Sequence, residues 1–179
     1  KIQILHLMAA LGIHAVDLGL PGAGPRAVED VRALAREIAA ARLPLAPNCA
    51  ARTVRADIEP VARISQEVGY PIEVAAFIGS SSIRQYAEGW SLDDMLRATE
   101  DAVSFAVGEG LPVMYVTEDT TRARPEALRR LYTAAIDCGA RRICLADTVG
   151  HAAPAGVQRL VRFILDDVVR PAAVGVRVD

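Results

Sequence analysis

The chain has few aromatic residues and no excess of positive charge. Aromatic side chains make up only 4% of its 179 residues, although hydrophobic residues reach 52%. The apolar mass therefore comes from alanine, valine, leucine and isoleucine, the composition of buried parallel strands covered by amphipathic helices. The formal net charge is −2, and acidic and basic residues are interspersed. A nucleic-acid-binding surface needs clustered basic residues, so we expect no nucleic-acid partner.

Long apolar runs and paired cysteines are also missing. No run approaches the ~18 apolar residues of a membrane-spanning helix, and no signal-peptide pattern is visible. The three cysteines, Cys49, Cys138 and Cys144, are odd in number and have no CxxC spacing. Two of them lie in or beside apolar strand patterns, which is typical of reduced thiols in a core. We therefore expect a cytoplasmic protein with no membrane association.

Several motifs that carry chemistry are absent as well. The sequence contains no GxGxxG and no P-loop, which disfavours dinucleotide and nucleoside triphosphate binding. It also contains no HxH, HExxH or similar histidine pair. Because a metal site needs several converging ligands, sequence logic builds no complete metal site from these residues.

What is present is a regular alternation of apolar strand patterns and amphipathic helix patterns. A helix pattern over residues 1–12 comes first, and later units recur at the ~30-residue spacing of a βαβ unit. Ser91 and Asp94 form a capping box for one helix, and the polar segment 79–90 is predicted as a loop. The predicted strands are residues 13–20, 45–51, 72–78, 111–117, 142–146 and 174–179.

Polar residues gather at the end of nearly every predicted strand. In a (β/α) barrel such strand ends carry the chemistry, whereas an open doubly wound sheet gathers polar residues near one switch point. The sequence therefore predicts an α/β fold, a partial TIM (β/α)8 barrel of about six parallel strands that lacks the first and last strands. We interpret residues 1–179 as a single, incomplete TIM-barrel catalytic domain.

Two carboxylates, Glu118 and Asp119, directly follow the fourth predicted strand. A carboxylate in this position can orient a substrate, hold a proton or ligate a metal. The alternative is structural, with Asp119 capping the next segment and Glu118 pairing with Arg122 or Arg124. The residues alone leave both interpretations open.

A second polar group, Asp147-Thr148, ends the next strand and is followed by Gly150 and His151. The Thr148 hydroxyl suits a substrate carboxylate or oxo group, and Gly150 would let backbone come close to a ligand. Asp147 is equally a loop-bracing residue that accepts backbone N–H bonds. His151 is either a base or an exposed loop histidine.

Arginines follow two other strands. Arg84 lies in a polar loop with Ser81, where a guanidinium can bind a carboxylate in a bidentate way. Arg52 follows the second strand, and a solvated loop arginine is the alternative for both. Asp17 belongs to the first strand, and we expect it to contact Arg52 or Arg84 as a buried pair. Trp90 is interpreted as a packing anchor.

The order of these strand-end motifs resembles that of a known enzyme superfamily. The chain is similar to the barrel of 2-isopropylmalate synthase, homocitrate synthase and HMG-CoA lyase, also called DRE-TIM metallolyases. The resemblance covers nearly the whole chain and is closer to the synthases. The matching segments are residues 16–21, 50–52, 77–81, 117–119 and 147–150.

This resemblance implies a metal-dependent acyltransferase of amino-acid biosynthesis. In that family a 2-oxo acid chelates a divalent metal (Mg, Mn or Zn), and enolised acetyl-CoA attacks the oxo carbon before the thioester is hydrolysed. The implied partners are acetyl-CoA and a 2-oxo acid, and the implied assembly is a homodimer. The resemblance makes Glu118 and Thr148 catalytic. Together with the strand-end positions, it leads us to assign substrate binding to Arg84, Arg52, Asp17, Ser81, Asp147 and His151.

The chain also departs from the family pattern. Members begin with a strand that bears an aspartate metal ligand and a catalytic arginine, whereas this chain begins at a lysine that resembles one shortly after that motif. Their HxH metal pair ends the seventh strand, about where this chain stops, at residues 176–179. Arg84 replaces a histidine of several isopropylmalate synthases, which suggests a more acidic or otherwise different oxo acid.

From these departures we expect a portion of an acyl-CoA-dependent condensing enzyme that lacks the metal ligands and is inactive alone. One alternative is a lyase that runs the reverse carbon–carbon cleavage. The other is a non-catalytic barrel fragment that needs a partner chain, since an incomplete barrel exposes two sheet edges.

Overall fold

The computed structural model describes residues 1–179 and contains one sheet of six parallel strands. Each strand pairs with the next one along the chain, as in a (β/α) barrel. The sheet curls into an open half-barrel, which confirms the predicted partial TIM barrel. The strands are β1 (Ala15–Asp17), β2 (Ala46–Arg52), β3 (Glu73–Gly79), β4 (Val113–Glu118), β5 (Arg142–Leu145) and β6 (Arg177–Val178).

Helices connect the strands and cover the outer face of the sheet. Proline at the first helical position begins three of them, and the predicted capping box of Ser91 and Asp94 begins a fourth. No helix is both long enough and apolar enough to cross a membrane. The helices are α1 (Ile2–Ala10), α2 (Pro25–Ala40), α3 (Arg55–Val68), α4 (Ser82–Glu88), α5 (Leu92–Gly108), α6 (Pro125–Asp137) and α7 (Pro154–Ile164).

Strand β4 shows how the sheet presents its two faces. Side chains alternate along a strand, so every second residue points to the helices. Val113, Tyr115 and Thr117 are buried beneath the helices, whereas the alternate residues, ending at Glu118, are half-buried on the concave inner face. The last residue of β4 is therefore aimed at the open mouth of the half-barrel.

Three predicted segments differ from the structure. The first strand spans only Ala15–Asp17, although backbone hydrogen bonds to β2 continue at His14, Leu18 and Gly19, and the last strand spans only Arg177–Val178 and not residues 174–179. The segment 79–90, predicted as a loop, contains helix α4, which begins when the Ser81 Oγ accepts a hydrogen bond from the Arg84 N–H at 3.3 Å. A helix of seven residues with no buried side chain has no apolar stripe by which a sequence pattern could detect it.

Some apolar side chains of the helices are exposed. The exposed fraction is 63% for Leu7 and 79% for Leu11, both in the α1 region. Val107 on α5 is 39% exposed and rests against Gly139. Helix α1 is apolar around most of its circumference and lies beside the end strand β1, so only part of its surface finds a neighbour.

Candidate active site

A cleft of about 500 Å³ opens at the carboxyl ends of β2, β3 and β4. We call it the site cleft. It brings together Arg52, Arg84 and Glu118, three of the predicted site residues, from three different strand ends. Phe77 and Trp90 supply apolar wall. A concave site with a few converging polar groups on an apolar wall is the usual form of a small-molecule site.

Arg52 is held in the site cleft by Asp57, in the first turn of α3. Its Nε and Nη2 donate to the two carboxylate oxygens of Asp57 at 2.7 and 2.8 Å, and its backbone N–H donates at 3.1 Å. The Arg52 side chain is 61% exposed, whereas that of Asp57 is 2% exposed. The guanidinium therefore keeps its Nη1 edge free, and a second carboxylate can bind there in a bidentate way.

The buried carboxylate of Asp57 needs a glycine beside it. A Cβ on Gly22 would lie 2.5 Å from Asp57 Cγ, so any larger residue would push the carboxylate away from Arg52. The side-chain hydrogen bonds from Arg52 hold the pKa of Asp57 below its usual range despite burial. We call this ion pair between Arg52 and Asp57 the latch, because it fixes the direction of the Arg52 side chain.

Arg84 reaches the site cleft from helix α4. A Cβ on Gly79, the last residue of β3, would lie 2.7 Å from Arg84 Nε, so the side chain lies directly across the strand end. Its Nη1 is 3.1 Å from the Glu88 carboxylate, one helical turn later. Both side chains of this pair are well exposed, so Glu88 restrains Arg84 only weakly.

Glu118 turns its carboxylate into the site cleft, and no ion pair within the chain involves that carboxylate. Its backbone carbonyl is fixed, because it accepts hydrogen bonds from Ser80 N–H at 3.0 Å and Ser80 Oγ at 2.9 Å. The predicted structural alternative, a pair of Glu118 with Arg122 or Arg124, does not form. Arg122 pairs with Asp119 instead.

Asp119 is a structural residue of this loop. It has a left-handed backbone conformation (φ 58°) and is only 3% exposed. Arg122 binds it in a bidentate way at 2.7 and 2.6 Å, which holds the pKa of Asp119 below its usual range. Its backbone N–H donates to Thr148 Oγ1 at 2.8 Å. This bond ties the loop after β4 to the loop after β5.

Asp147 and His151 do not face the site cleft. Asp147 accepts hydrogen bonds from Thr121 Oγ1 at 3.0 Å and from the Ala152 N–H at 3.1 Å, so it braces its loop. The backbone bond from Ala152 is the main reason that the pKa of Asp147 is lowered. His151 lies 3.5 Å from Thr121 Oγ1 in a second cleft, of about 560 Å³, between α6 and α7.

Asp17 and Ser81 contribute differently from what was expected. The predicted buried pair of Asp17 with Arg52 or Arg84 is wrong, because those arginines pair with Asp57 and Glu88. Asp17 accepts instead from the Gly19 N–H at 2.7 Å, and partial burial raises the pKa of Asp17. Ser81 is fully buried and caps α4.

The residues of this chain do not fit a divalent metal. No group of three or more histidine, cysteine, aspartate or glutamate side chains converges anywhere. Three of the strand-end carboxylates are already used, Asp119 by a guanidinium and both Asp17 and Asp147 by backbone N–H groups, which leaves Glu118 as a single carboxylate. We therefore derive no chemical step through a metal from these residues.

Three residues that matter to the geometry escaped the sequence-based prediction. Asp57 was assigned only to a helix, although its position five residues after Arg52 places it in the first turn beyond the strand end. Glu88 lies in the unpredicted helix α4. Trp90, interpreted as a packing anchor, is 36% exposed and lines the site cleft.

The half-barrel and the polar cleft at its strand ends define a (β/α)-barrel protein whose candidate site lies at the carboxyl ends of the strands. The chain belongs to the HMGL-like family, whose pattern it matches over residues 1–177. This finding confirms the superfamily to which the strand-end motifs were assigned.

Two curated relatives and one solved structure illustrate the relationship. The chain is 33% identical over 97% of its length to homocitrate synthase AksA of Methanopyrus kandleri, and covers 42% of that protein. It is 29% identical over 94% of its length to 2-isopropylmalate synthase of Lactococcus lactis subsp. cremoris, and covers 32% of it. The HMG-CoA lyase of Bacillus subtilis superposes with a TM-score of 0.70 at 17% identity, over 92% of this chain and 56% of the lyase, which shows a shared fold.

The chain thus spans less than half the length of these synthases. Both of these relatives are named as synthases.

Proposed function

We propose that this chain is the substrate-binding part of an acyl-CoA-dependent condensing enzyme, which adds acetyl-CoA to a 2-oxo acid in a Claisen-type reaction. The observation that carries the proposal is the site cleft itself. It places the guanidinium groups of Arg52 and Arg84 and the carboxylate of Glu118 around one space. The synthase names of the curated relatives support the same class of reaction.

In this proposal the arginines bind and orient the 2-oxo acid. The Nη1 edge of Arg52 takes a carboxylate, because Asp57 occupies only the Nε side of the guanidinium. Arg84 takes a second anionic group, since the pair with Glu88 is exposed and easily exchanged. Two guanidinium groups in one cleft favour a dicarboxylic 2-oxo acid over a monocarboxylic one.

Glu118 and Thr148 are the proposed catalytic residues. The carboxylate of Glu118 is placed to hold or move a proton at an Oε atom, as enolisation of a thioester and protonation of an alkoxide require. Thr148 stands at the neighbouring strand end, where its Oγ1 already accepts from the Asp119 N–H, so its hydroxyl proton is free to be donated to substrate. Phe77 and Trp90 keep one wall of the site cleft apolar and limit the entry of water.

Calorimetric titration of the 179-residue chain tests the binding half of the proposal. We expect 2-oxoglutarate to bind more tightly than 2-oxoisovalerate, because only 2-oxoglutarate has a second carboxylate for Arg84. Arg84→Gln removes a charge-assisted contact of about 1.5–3 kcal/mol and should weaken 2-oxoglutarate binding roughly 10-fold or more.

Arg63→Gln is the matched control. Arg63 forms the same kind of exposed pair, with Glu59 one turn away, on helix α3 outside the site cleft. It should leave binding unchanged. Equal weakening by both substitutions, or no binding of any 2-oxo acid, would contradict the assignment of the site cleft.

Turnover needs a separate measurement. Because no metal-ligand group converges among these residues, we expect the 179-residue chain to release no CoA from acetyl-CoA with any 2-oxo acid, even with added Mg²⁺, Mn²⁺ or Zn²⁺. Metal-dependent CoA release by this chain would overturn that expectation. Metal-dependent cleavage of a 3-hydroxyacyl-CoA by this chain, without condensation, would overturn it too and would favour the lyase alternative.

A further inference from the structure

Three buried hydroxyl groups lie directly behind the proposed catalytic residues. Thr117 Oγ1 is 2.6 Å from Thr120 Oγ1 and 2.5 Å from the Tyr132 hydroxyl. Each of the three residues is 1% exposed or less. We call them the hydroxyl cluster. It joins strand β4, the turn after it and helix α6.

Two hydroxyls of the hydroxyl cluster also contact backbone carbonyls. Thr120 Oγ1 donates to the Thr117 carbonyl at 2.6 Å, and the Tyr132 hydroxyl donates to the Cys144 carbonyl at 2.8 Å. The Thr117 hydroxyl therefore donates to one of its two neighbours. Because all three groups are buried and satisfied, the loss of one hydroxyl leaves a polar partner unpaired.

Thr120 extends the pairing of β4 and β5 beyond the end of the ladder. The last paired residues are Thr117 and Leu145. Beyond them, the Thr120 N–H donates to the Ala146 carbonyl at 3.0 Å, and the Ala146 N–H donates to Thr120 Oγ1 at 3.0 Å. The Ala146 N–H also reaches the Thr117 carbonyl, but at 3.4 Å, so the side chain of Thr120 supplies its shorter acceptor at the point where the two loops diverge.

We call the paired hydrogen bonds between Thr120 and Ala146 the joint. The two proposed catalytic residues lie on either side of it. Glu118 immediately follows Thr117, and Thr148 is two residues beyond Ala146. The Asp119 N–H bond to Thr148 Oγ1, at 2.8 Å, completes the link between them. We propose that Thr120 and Tyr132 are positioning residues, whose hydroxyls set the placement of Glu118 relative to Thr148. This assignment rests on the proposed function for the roles of Glu118 and Thr148.

The molecule contains a matched control. Tyr115 is also fully buried, and its hydroxyl lies 2.7 Å from Thr99 Oγ1. Its ring meets that of Tyr132 edge to face, with centroids 5.9 Å apart. The bond to Thr99 leads to helix α5 and not to the strand ends. Tyr115→Phe therefore removes a comparable buried hydroxyl without touching the joint.

Amide hydrogen exchange, measured by NMR on the 179-residue chain, tests the proposal without any substrate. Thr120→Val and Tyr132→Phe should speed exchange at the Asp119 and Ala146 amides at least 10-fold. Tyr115→Phe should leave those two amides unchanged, even where its free energy of unfolding in urea falls as much. Thr120→Ser keeps the hydroxyl, so exchange at both amides should stay slow in this variant. It keeps the test decisive if Thr120→Val folds poorly.

The same proteins, titrated with 2-oxoglutarate, separate the two proposals. If the unsubstituted chain binds no 2-oxo acid but the exchange pattern appears, the proposed function fails and the hydroxyl cluster still sets the joint. If 2-oxoglutarate binds but all variants exchange alike at Asp119 and Ala146, the positioning roles of Thr120 and Tyr132 are wrong. Faster exchange at those amides in Tyr115→Phe would also overturn them.

Discussion

The two sides of the strand-end face use their polar groups in opposite ways. On the β2–β4 side, the site cleft holds exposed guanidinium groups and the carboxylate of Glu118, which has no ion-pair partner. On the β4–β5 side, the polar side chains form hydrogen bonds within the protein, as seen for Asp119, Thr120 and Asp147. A group that is already satisfied gains little from a ligand, whereas a free one does.

Under the proposed function, substrate binding belongs to the β2–β4 side, whereas the β4–β5 side supports the loops and carries Thr148. The comparison also explains why adjacent residues have different fates. Glu118 and Asp119 are neighbours in sequence, yet the strand alternation aims the first into the site cleft and the left-handed turn aims the second at Arg122. Substitutions on the two sides should therefore change different measured quantities.

The largest effect is expected from Gly22→Ala, which would disturb the latch between Arg52 and Asp57. The added Cβ would lie 2.5 Å from a buried carboxylate, so the backbone or Asp57 must move. Such overpacking lowers the free energy of unfolding by about 1–3 kcal/mol, measurable in urea. Binding of 2-oxoglutarate should weaken as well, because Arg52 loses its fixed direction.

Gly156→Ala is the control for that substitution. Gly156 lies in helix α7, and a Cβ there meets nothing within 4 Å. Alanine is favoured over glycine inside a helix by roughly 0.5–1 kcal/mol, so this variant should be slightly more stable. Equal losses of stability in Gly22→Ala and Gly156→Ala would remove the argument for a latch.

A smaller effect is expected from Asp119→Asn, on the supporting side. The pKa of Asp119 is lowered in the folded chain, so its ionised form stabilises the fold above the unfolded pKa, and that contribution disappears as pH falls through the folded pKa. At neutral pH the variant should be less stable by about 1–2 kcal/mol. The difference between the two proteins should shrink below about pH 4, in urea unfolding followed across pH. Parallel pH profiles would contradict it.

Gly79→Ala should reverse the balance between stability and binding. Its Cβ would lie 2.7 Å from Arg84 Nε and 3.0 and 3.1 Å from Arg84 Cγ and Cβ, so the guanidinium must swing aside and the exposed helix α4 must shift by a few tenths of an ångström. We expect the free energy of unfolding to change by less than about 1 kcal/mol. Affinity for 2-oxoglutarate should fall several-fold in calorimetry, because the displaced guanidinium no longer lies across the strand end. Unchanged affinity would place Arg84 outside the binding surface.

How much of this could be predicted depended on the range of the interactions. The six strands and the terminal position of Glu118 follow from local apolar patterns, proline starts and strand alternation, and the structure confirms the parallel half-barrel. The partner of Arg52 could not be read in this way. It depends on Gly22, some 30 residues earlier, letting the carboxylate of Asp57 approach.

The prediction of a loop in place of helix α4 was wrong for a different reason. Its seven residues bury no side chain, so no hydrophobic periodicity marks it, and only the cap at Ser81 and the left-handed Gly89 define its ends. The expected pair of Asp17 failed because two other carboxylates, Asp57 and Glu88, lie closer to the arginines. Competition among charges is decided by the tertiary structure and not by charge pattern.

The smallest expected effect, from Glu88→Gln, is the most direct test of the comparison. The pair of Arg84 with Glu88 is exposed on both sides and spans one helical turn, so it contributes no more than about 0.5 kcal/mol to stability. If the β2–β4 side keeps its arginines available for a ligand, releasing Arg84 should leave 2-oxoglutarate affinity unchanged or raise it about twofold. Glu59→Gln, which breaks the corresponding pair with Arg63, should change neither quantity. A clear loss of affinity in Glu88→Gln alone would mean that Glu88 holds Arg84 in place, as Asp57 holds Arg52, and neither arginine of the site cleft would then be free of internal support.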